Sequence, residues 1–375
     1  MFSLHVDTAR TWRGGQAQVL MTVLGLRELG HRAVLVAHPD GVLRQRASEG
    51  HDLILFAPRS EMDLGAAWKL SRVIRQMSPD IIHAHDSHAV AMAASALSMA
   101  SPRPCPPLVM SRRVDFHIRR NALSRWKYNQ VDRFLCASDA IRRMLIDDGV
   151  APERTAVVHD GVDLARLSAV PPASIHEAFW LPHHAPVVAN AAALVPHKGQ
   201  RHLVEAAKIV VREVPDARFV IFGEGELRES LERQIRSHAL EKHVRLAGFR
   251  ADVLSLCKTI DLFVMSSITE GLGSAVLEAM ACRRAVVGTE AGGIPEAVVH
   301  GETGLLVPPR DDAAMADAIV RLLRDPAMRT TFGEAGYRRV EEHFSAERMV
   351  RRVLGVYEEH KGDSHTFLGR GFGKV

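Results

Sequence analysis

Residues 267–280, SITEGLGSAVLEAM, combine two carboxylates with a glycine-rich turn. Glu270 stands in the turn, and Glu278 follows eight positions later, inside the helix that the pattern predicts. Glycine lets backbone amides approach a ligand closely, and the first amides of a helix bind phosphate. Because carboxylates accept hydrogen bonds from vicinal hydroxyls, the segment predicts a site for a sugar or ribose beside a diphosphate. The simpler interpretation is a glycine-rich turn followed by an amphipathic helix with a surface glutamate.

A second polar segment, HAHDSH at residues 83–88, directly follows an apolar run that is typical of a buried strand. His83 and His85 alternate onto one face of that strand, so a metal site is conceivable. We expect no metal, because no other ligand set with zinc spacing lies nearby. His85 and Asp86 are instead predicted to line an acceptor-binding surface, with an ordinary strand end as the alternative.

Residues 112–127 mix basic and apolar side chains. This mixture is typical of a surface that contacts an anionic membrane, and a solvated basic helix is the alternative. Nucleic-acid binding is not expected, because the chain has no recognised RNA or DNA module. The side chains predicted to contact the membrane are Arg119, Arg120, Arg125, Trp126 and Lys127.

The composition is that of a globular protein. The chain has 375 residues, 47% of them hydrophobic and 25% charged, with a formal net charge of +4. This length favours two domains. The four cysteines form no metal-binding or redox motif, and neither a signal peptide nor a membrane-spanning run is visible. We therefore expect a cytoplasmic protein, with peripheral contact to the inner face of the cytoplasmic membrane.

Strand-like and helix-like segments alternate along almost the whole chain. Such alternation predicts parallel sheets covered by helices on both faces, and ligands bind beyond the carboxyl ends of such strands. The pattern loosens near the Pro-Pro step at residues 171–172. We therefore predict an N-terminal domain over residues 1–170 and a C-terminal domain over 171–345. A final helix within 346–375 should pack back towards the N-terminal domain and end in a flexible tail.

Several motifs occur in the order that is typical of glycosyltransferase family 4, the group 1 glycosyltransferases. The donor segment at 267–280 resembles the family's signature, in which seven residues separate two glutamates. The resemblance covers roughly residues 1–360. The other matching motifs are WRGGQAQ at 12–18, VHDGVD at 158–163, LVPHKG at 194–199, FGEGE at 222–226, TEAGGIPE at 289–296 and GETGLLVPPRD at 301–311.

The resemblance implies the GT-B fold, an α/β arrangement of two Rossmann-like domains whose parallel sheets face each other across a cleft. The C-terminal domain would bind a nucleotide-diphosphate sugar and the N-terminal domain the acceptor. Glu278 would bind the ribose hydroxyls, Glu270 the transferred sugar and Lys198 the diphosphate, while Gly15 would offer a backbone amide to the phosphates. The full donor set is Gly15, Lys198, Gly223, Glu270, Gly271, Leu272, Gly273, Ser274 and Glu278.

Two positions depart from the family pattern. Ala193 stands where many relatives carry arginine, and arginine replaces the histidine that often follows the strand at residues 108–110. One lysine alone would stabilise poorly the negative charge that develops on the departing diphosphate. Arginine could assist, because it binds phosphate with two parallel hydrogen bonds. We therefore count Arg112 and Arg113 with Glu270 and Lys198 as candidate catalytic residues. A structural arginine paired with Asp115 is the alternative.

The function implied is that of a retaining hexosyltransferase acting on a saccharide or lipid-linked acceptor, in cell-surface polysaccharide or lipopolysaccharide synthesis. No cofactor is expected beyond the nucleotide-sugar substrate, and no metal is required if side chains supply the positive charge. Two alternatives are an inactive nucleotide-sugar-binding protein and a nucleotide-sugar epimerase.

Overall fold

A computed structural model describes residues 1–47, 52–100, 105–119 and 121–360. The flexible tail predicted after the last helix lies outside the described residues. None of the described helices is both long and apolar enough to cross a bilayer.

The described strands and helices alternate along the chain. The strands are β1 Phe2–Asp7, β2 Arg32–Ala37, β3 Leu53–Leu55, β4 Ile81–Ala84, β5 Leu108–Arg112, β6 Arg133–Cys136, β7 Thr155–Val157, β8 Val187–Ala191, β9 Arg218–Phe222, β10 Val244–Gly248, β11 Leu262–Met265, β12 Ala285–Thr289 and β13 Gly304–Val307. The helices are α1 Gly14–Glu28, α2 Val42–Ala47, α3 Leu64–Met77, α4 Ser87–Ala100, α5 Ala122–Asn129, α6 Asp139–Asp147, α7 Leu164–Ala169, α8 Ile175–Phe179, α9 Gln200–Glu213, α10 Arg228–Ser237, α11 Val253–Cys257, α12 Ser274–Ala281, α13 Ile294–Ala297, α14 Asp312–Arg324, α15 Pro326–His343 and α16 Ala346–Glu359.

The first unit comprises residues 1–160 and 346–375. Its sheet has seven parallel strands in the order β3-β2-β1-β4-β5-β6-β7. Helix α16 packs its apolar stripe into the same core as α1. Gly25 of α1 permits this approach, because a Cβ there would lie 2.6 Å from a methyl carbon of Val350.

The second unit, residues 161–345, contains a six-stranded parallel sheet in the order β10-β9-β8-β11-β12-β13. Helices α9, α10 and α14 contribute apolar residues to its core, among them Leu203, Leu231 and Ile319. In both units the strand order reverses beside the first strand of the unit, which is the Rossmann-like arrangement. The prediction of two Rossmann-like α/β units with parallel sheets is confirmed.

The boundary between the units lies between Asp160 and Gly161, earlier than the predicted position after residue 170. Helix α7 explains the difference. The Lys258 ammonium donates to the carbonyls of Leu167, at 2.7 Å, and Val170, at 2.5 Å. These bonds fasten the segment to the second unit, although its turn-rich sequence resembles a linker.

Candidate functional site

Two loops of the second unit are joined at the carboxyl ends of β8 and β11. A short 3-10 turn, Pro196–Lys198, follows β8. Its His197 carbonyl accepts from the Ile268 amide at 2.7 Å, and the Ser266 hydroxyl donates to the Lys198 carbonyl at 3.0 Å. Gly199, at φ 64°, passes so close that a Cβ would lie 2.1 Å from the Ser266 carbonyl oxygen. The backbone thereby fixes Lys198 beside the loop that carries Glu270.

Lys198 and Glu270 form a bidentate ion pair. The Lys198 Nζ lies 2.8 Å from Oε1 and 2.7 Å from Oε2 of Glu270. The Ser267 hydroxyl donates to Oε2 at 2.9 Å. The two charged side chains are only 19% and 9% exposed. Although 71 residues lie between them in the sequence, the fold brings both predicted residues into one network.

Glycines shape the backbone around this network. Gly223 has a φ of 128°, and a Cβ there would lie 2.0 Å from the Ala192 carbonyl oxygen. Gly273 has a φ of 91° and precedes α12, and no side chain of the described residues caps the first amides of that helix. The neighbouring predicted residues comprise buried Gly271 and Leu272 and partly exposed Ser274.

Glu278 lies on α12, one turn beyond its start, and is partly exposed. Its carboxyl group has no hydrogen-bond partner among the residues that the structure describes. Burial raises the pKa of this carboxyl from 4.5 to about 7, against the opposing influence of Arg166. Glu278 therefore stands unpaired and close to half-ionised at neutral pH.

Gly15 lies in the first turn of α1 and is partly exposed. It does not have a positive φ, and a Cβ added there would meet nothing within 4 Å among the described residues. The local fold therefore gives no reason for glycine at this position, in contrast to Gly223.

Polar residues of the first unit gather at the carboxyl ends of β1 and β4, where the sequence predicts His85 and Asp86. The Asp86 carboxylate accepts from the Thr8 amide at 2.6 Å, the Thr8 hydroxyl at 2.9 Å and the Ala89 amide at 2.8 Å. Asp86 thus joins the loop after β1 to the start of α4.

Asp7, the last residue of β1, is a candidate that the sequence interpretation missed. Burial, and then the neighbouring Asp86 carboxylate, raise the pKa of Asp7 to about 6. The Gln16 amide group donates to its Oδ2 at 3.3 Å. Its place at a strand end, directly before the glycine loop, is the signal that could have identified it.

Below this edge the structure brings His5, His83 and His85 together, with possible ligand atoms within 4.8 Å of one another. Burial lowers the pKa of all three imidazoles, that of His5 to about 3. His5 Nδ1 lies 3.0 Å from His85 Nε2, and His83 lies 2.5 Å from the Tyr357 hydroxyl and 2.8 Å from that of Ser111. These bonds favour a neutral hydrogen-bond network over a metal site. That no metal is needed stays a prediction.

The two candidate arginines have different surroundings. Arg112 is buried, and its guanidinium donates to the Phe116 carbonyl within its own loop. Arg113 pairs with Asp160, at 2.8 Å between Nε and Oδ1, rather than with Asp115. The buried Nη1 of Arg113 has no partner among the described residues. The buried Nε of Arg112 also lacks a partner among the described residues. Arg113 is the less buried of the two arginines and is therefore the better placed for a further ligand.

The predicted membrane surface needs one correction. The Lys127 side chain is 4% exposed, and its ammonium lies 2.8 Å from both Glu61 carboxylate oxygens and 2.6 Å from the Ser87 hydroxyl. It cannot contact a membrane because it forms a buried ion pair. Arg120 lies outside the described residues. Arg119, Arg125 and Trp126 are exposed.

Two family models match successive parts of the chain. The model described as "Glycosyltransferase Family 4" matches residues 12–166, and the model described as "Glycosyl transferases group 1" matches residues 174–339. Together they cover most of both Rossmann-like units, without β1 and α16, and all of the predicted site residues.

Individual relatives agree with these matches. EpsD of Bacillus subtilis (strain 168), named as a glycosyltransferase, is 28% identical over 318 residues, covering 81% of this chain and 83% of its own. The lipopolysaccharide core biosynthesis glycosyltransferase LpsE of Rhizobium meliloti (strain 1021) is 30% identical over 227 residues, covering 60% and 64%. The crystal structure of Anabaena Alr3699/HepE in complex with UDP-glucose has a TM-score of 0.83 at 23% identity, covering 96% of this chain and 100% of that one.

Proposed function

This chain belongs to glycosyltransferase family 4, the group 1 glycosyltransferases, and we propose that it is a retaining enzyme that transfers a hexose from a nucleotide-diphosphate sugar to a saccharide or lipid-linked acceptor. Glycosyltransferase activity follows from the family. The name of LpsE and the UDP-glucose bound by HepE support cell-surface polysaccharide or lipopolysaccharide synthesis and a UDP-linked donor.

The observation that carries the proposal is the pairing of Lys198 with Glu270. Each charge is neutralised by the other at 2.7–2.8 Å, inside a loop that the backbone holds rigidly. A nucleotide sugar offers both side chains a replacement partner: its diphosphate can bind the ammonium, and its sugar hydroxyls can donate to the carboxylate. Donor binding then exchanges one ion pair for two ligand contacts, and no charge is left buried alone.

The reaction breaks the bond between the anomeric carbon and the β-phosphate oxygen, so negative charge develops on the departing diphosphate. Lys198 and the first amides of α12 stabilise that charge. The acceptor hydroxyl attacks on the face from which the diphosphate departs, and its proton passes to the phosphate oxygen that leaves. Glu270 orients the sugar, and Glu278 accepts hydrogen bonds from the ribose hydroxyls.

A peripheral membrane contact of the first unit is part of the proposal. Phe116 and Trp126 are 54% and 38% exposed, and Arg119 and Arg125 are exposed beside them in the sequence. Aromatic rings at the level of lipid head groups, with arginines paired to anionic lipids, would present a lipid-linked acceptor to the enzyme.

The experiment is a donor screen followed by product analysis. Binding stabilises a protein by mass action, so a thermal-shift panel of UDP- and GDP-linked sugars identifies the donor. Glycosylated product supports the transferase, an epimerised sugar the epimerase, and binding without turnover an inactive sensor. Lys198→Met should lower turnover about a hundredfold, while the exposed control Lys242→Met should not. A wild-type rate in Lys198→Met would remove this lysine from the reaction.

A further inference from the structure

The first unit contains a cavity of about 340 Å³ at the carboxyl end of its sheet. Residues that follow four neighbouring strands line this cavity: Arg10 after β1, His38 after β2, Arg59 after β3, and Asp86 and His88 after β4. Open parallel sheets bind ligands at this edge. None of the residues assigned to the donor lines it.

The charge of this lining is positive. The carboxylate of Asp86 is already engaged by three donors from Thr8 and Ala89. His88 lies 4.0 Å from the Glu61 carboxylate. Neither Arg10 nor Arg59 lies within ion-pair distance of a carboxylate in the part of the chain that the structure describes. The exposed guanidinium groups of Arg10 and Arg59 therefore give the cavity a positive electrostatic potential.

Arg10 is held in one orientation. Its Nε donates to Nε2 of His38 at 3.2 Å, and His38 is 3% exposed. Burial, and then Arg10 itself, lower the pKa of His38, which favours the neutral imidazole. Its Nε2 can accept from Arg10 in the tautomer that carries the proton on Nδ1, the nitrogen that faces the Asp40 amide at 3.1 Å. A guanidinium has five N–H donors. The remaining four, on the two Nη groups, have no hydrogen-bond partner among the described residues. Such a fork matches two oxygens of a phosphate or a carboxylate.

We propose that the acceptor carries an anionic group, a phosphate or a carboxylate beside the hydroxyl that is glycosylated, and that Arg10 and Arg59 bind this group in the cavity. The inference rests on the proposed transferase function, whose acceptor it narrows. A phosphorylated saccharide and a phospholipid head group share this chemistry, and the experiment distinguishes them.

The test uses inorganic phosphate as the probe, titrated calorimetrically into the full chain with and without saturating UDP. UDP occupies any phosphate site of the donor, so phosphate that still binds reports the cavity. Arg10→Gln and Arg59→Gln should each raise the dissociation constant for phosphate about tenfold or more, the effect of losing a charged hydrogen bond. The matched control is Arg75→Gln, an exposed arginine of α3, and it should bind phosphate as the wild type does.

UDP affinity is measured on the same variants. If UDP does not bind the wild type, the proposed donor is contradicted. The phosphate titration performed in the absence of UDP then still tests the cavity. Phosphate affinity unchanged in both variants, or no phosphate binding at millimolar concentration, overturns the anion site. Weakened UDP binding with unchanged phosphate binding would assign the arginines to the donor and also overturn it.

The source of the anion is read from two further titrations. Sedimentation with phosphatidylglycerol vesicles that is weaker in Arg10→Gln and Arg59→Gln than in the wild type, but unchanged in Arg75→Gln, identifies a lipid head group. Saturable binding of sn-glycerol 3-phosphate without such vesicle dependence identifies a soluble acceptor.

Discussion

Glu278 provides the sharpest test, because its contribution to stability and its proposed role in binding have opposite signs. Replacement by glutamine keeps the shape of the side chain and removes its charge at every pH. The carboxyl has no hydrogen-bond partner among the described residues, and burial raises its pKa from 4.5 to about 7. An acid with a raised pKa binds its proton more tightly in the folded state. The folded protein therefore loses stability as pH rises from the unfolded pKa through the folded pKa.

The magnitude follows from these two values. The difference between 4.5 and about 7 corresponds to at most about 3 kcal/mol above pH 7. Because Glu278 is partly exposed, solvent screening reduces this figure. We expect Glu278→Gln to raise the free energy of unfolding by about 1–2 kcal/mol at pH 8 and to leave it unchanged at pH 4. Urea unfolding at the two pH values measures the difference.

Donor binding should change in the opposite direction. At pH 8 the variant should bind UDP-glucose about 1–3 kcal/mol more weakly, because a charged acceptor of ribose hydroxyls is lost. Wild-type affinity should increase from pH 6 to pH 8 as the carboxyl ionises, whereas the variant should show no such increase. UDP-glucose suits this calorimetric assay because its diphosphate does not titrate in this range.

The control is Glu241→Gln, at an exposed position of the same unit. It should change neither stability nor affinity at any pH. A stability gain in Glu278→Gln that is equal at pH 4 and pH 8 would refute the argument from burial. If Glu278→Gln binds UDP-glucose at pH 8 as tightly as the wild type does, Glu278 has no role in donor binding.

Four further predictions concern other sites. Gly15→Ala should leave the free energy of unfolding unchanged or slightly higher, since alanine favours helix. It should nevertheless lower turnover at least about tenfold, because the added methyl group obstructs the donor phosphates. Normal turnover in this variant would exclude a contact between Gly15 and the phosphates. Activity should survive EDTA, and full loss restored by magnesium or manganese would contradict the metal-free chemistry. Arg113→Lys should lower turnover about tenfold or more, whereas Arg112→Lys should mainly lower thermal stability. Normal kinetics in Arg113→Lys would show that Arg113 serves only its structural ion pair with Asp160. Trp126→Ala and Arg125→Gln should each weaken sedimentation with anionic vesicles, by about 1 kcal/mol for the arginine, and equal sedimentation with neutral vesicles would contradict a charge-dependent contact.

The fold was accessible from sequence wherever a strand is continuously apolar. Strands β2, β9 and β11 could be predicted directly, because both faces of a parallel sheet are covered and each of these strands contains an uninterrupted apolar run. Helix α15 has no clear apolar stripe in its sequence, because its buried face includes Gly333 and Gly336 instead of large apolar residues. A Cβ at Gly333 would lie 2.3 Å from the Arg283 carbonyl oxygen, so contact with the backbone determines the residue there.

The positions of the site residues could be predicted from the strands, since polar residues that follow parallel strands gather at one edge of the sheet. The ion-pair partners of these residues could not be predicted. Arg113 pairs with Asp160, 47 positions away, although Asp115 is nearer in sequence, and Lys127 pairs with Glu61 across 66 positions. Local sequence cannot specify such pairs because they depend on how helices and loops pack. This is why a basic run that suggested a uniform membrane surface includes a buried lysine.

The structure also separates the motif residues that the fold requires from those that it does not. Gly223 and Gly292 are needed by the backbone alone, since a Cβ at either would lie 2.0 Å or less from a carbonyl oxygen. Their presence is weak evidence for a ligand. Within the described parts of the chain, Gly15 meets no neighbour that would exclude alanine, the Glu278 carboxyl group has no hydrogen-bond partner, and four N–H donors of Arg10 have none. Because folding does not account for these three features, they support, beside the Lys198–Glu270 pair, the binding of charged and hydroxylated substrates.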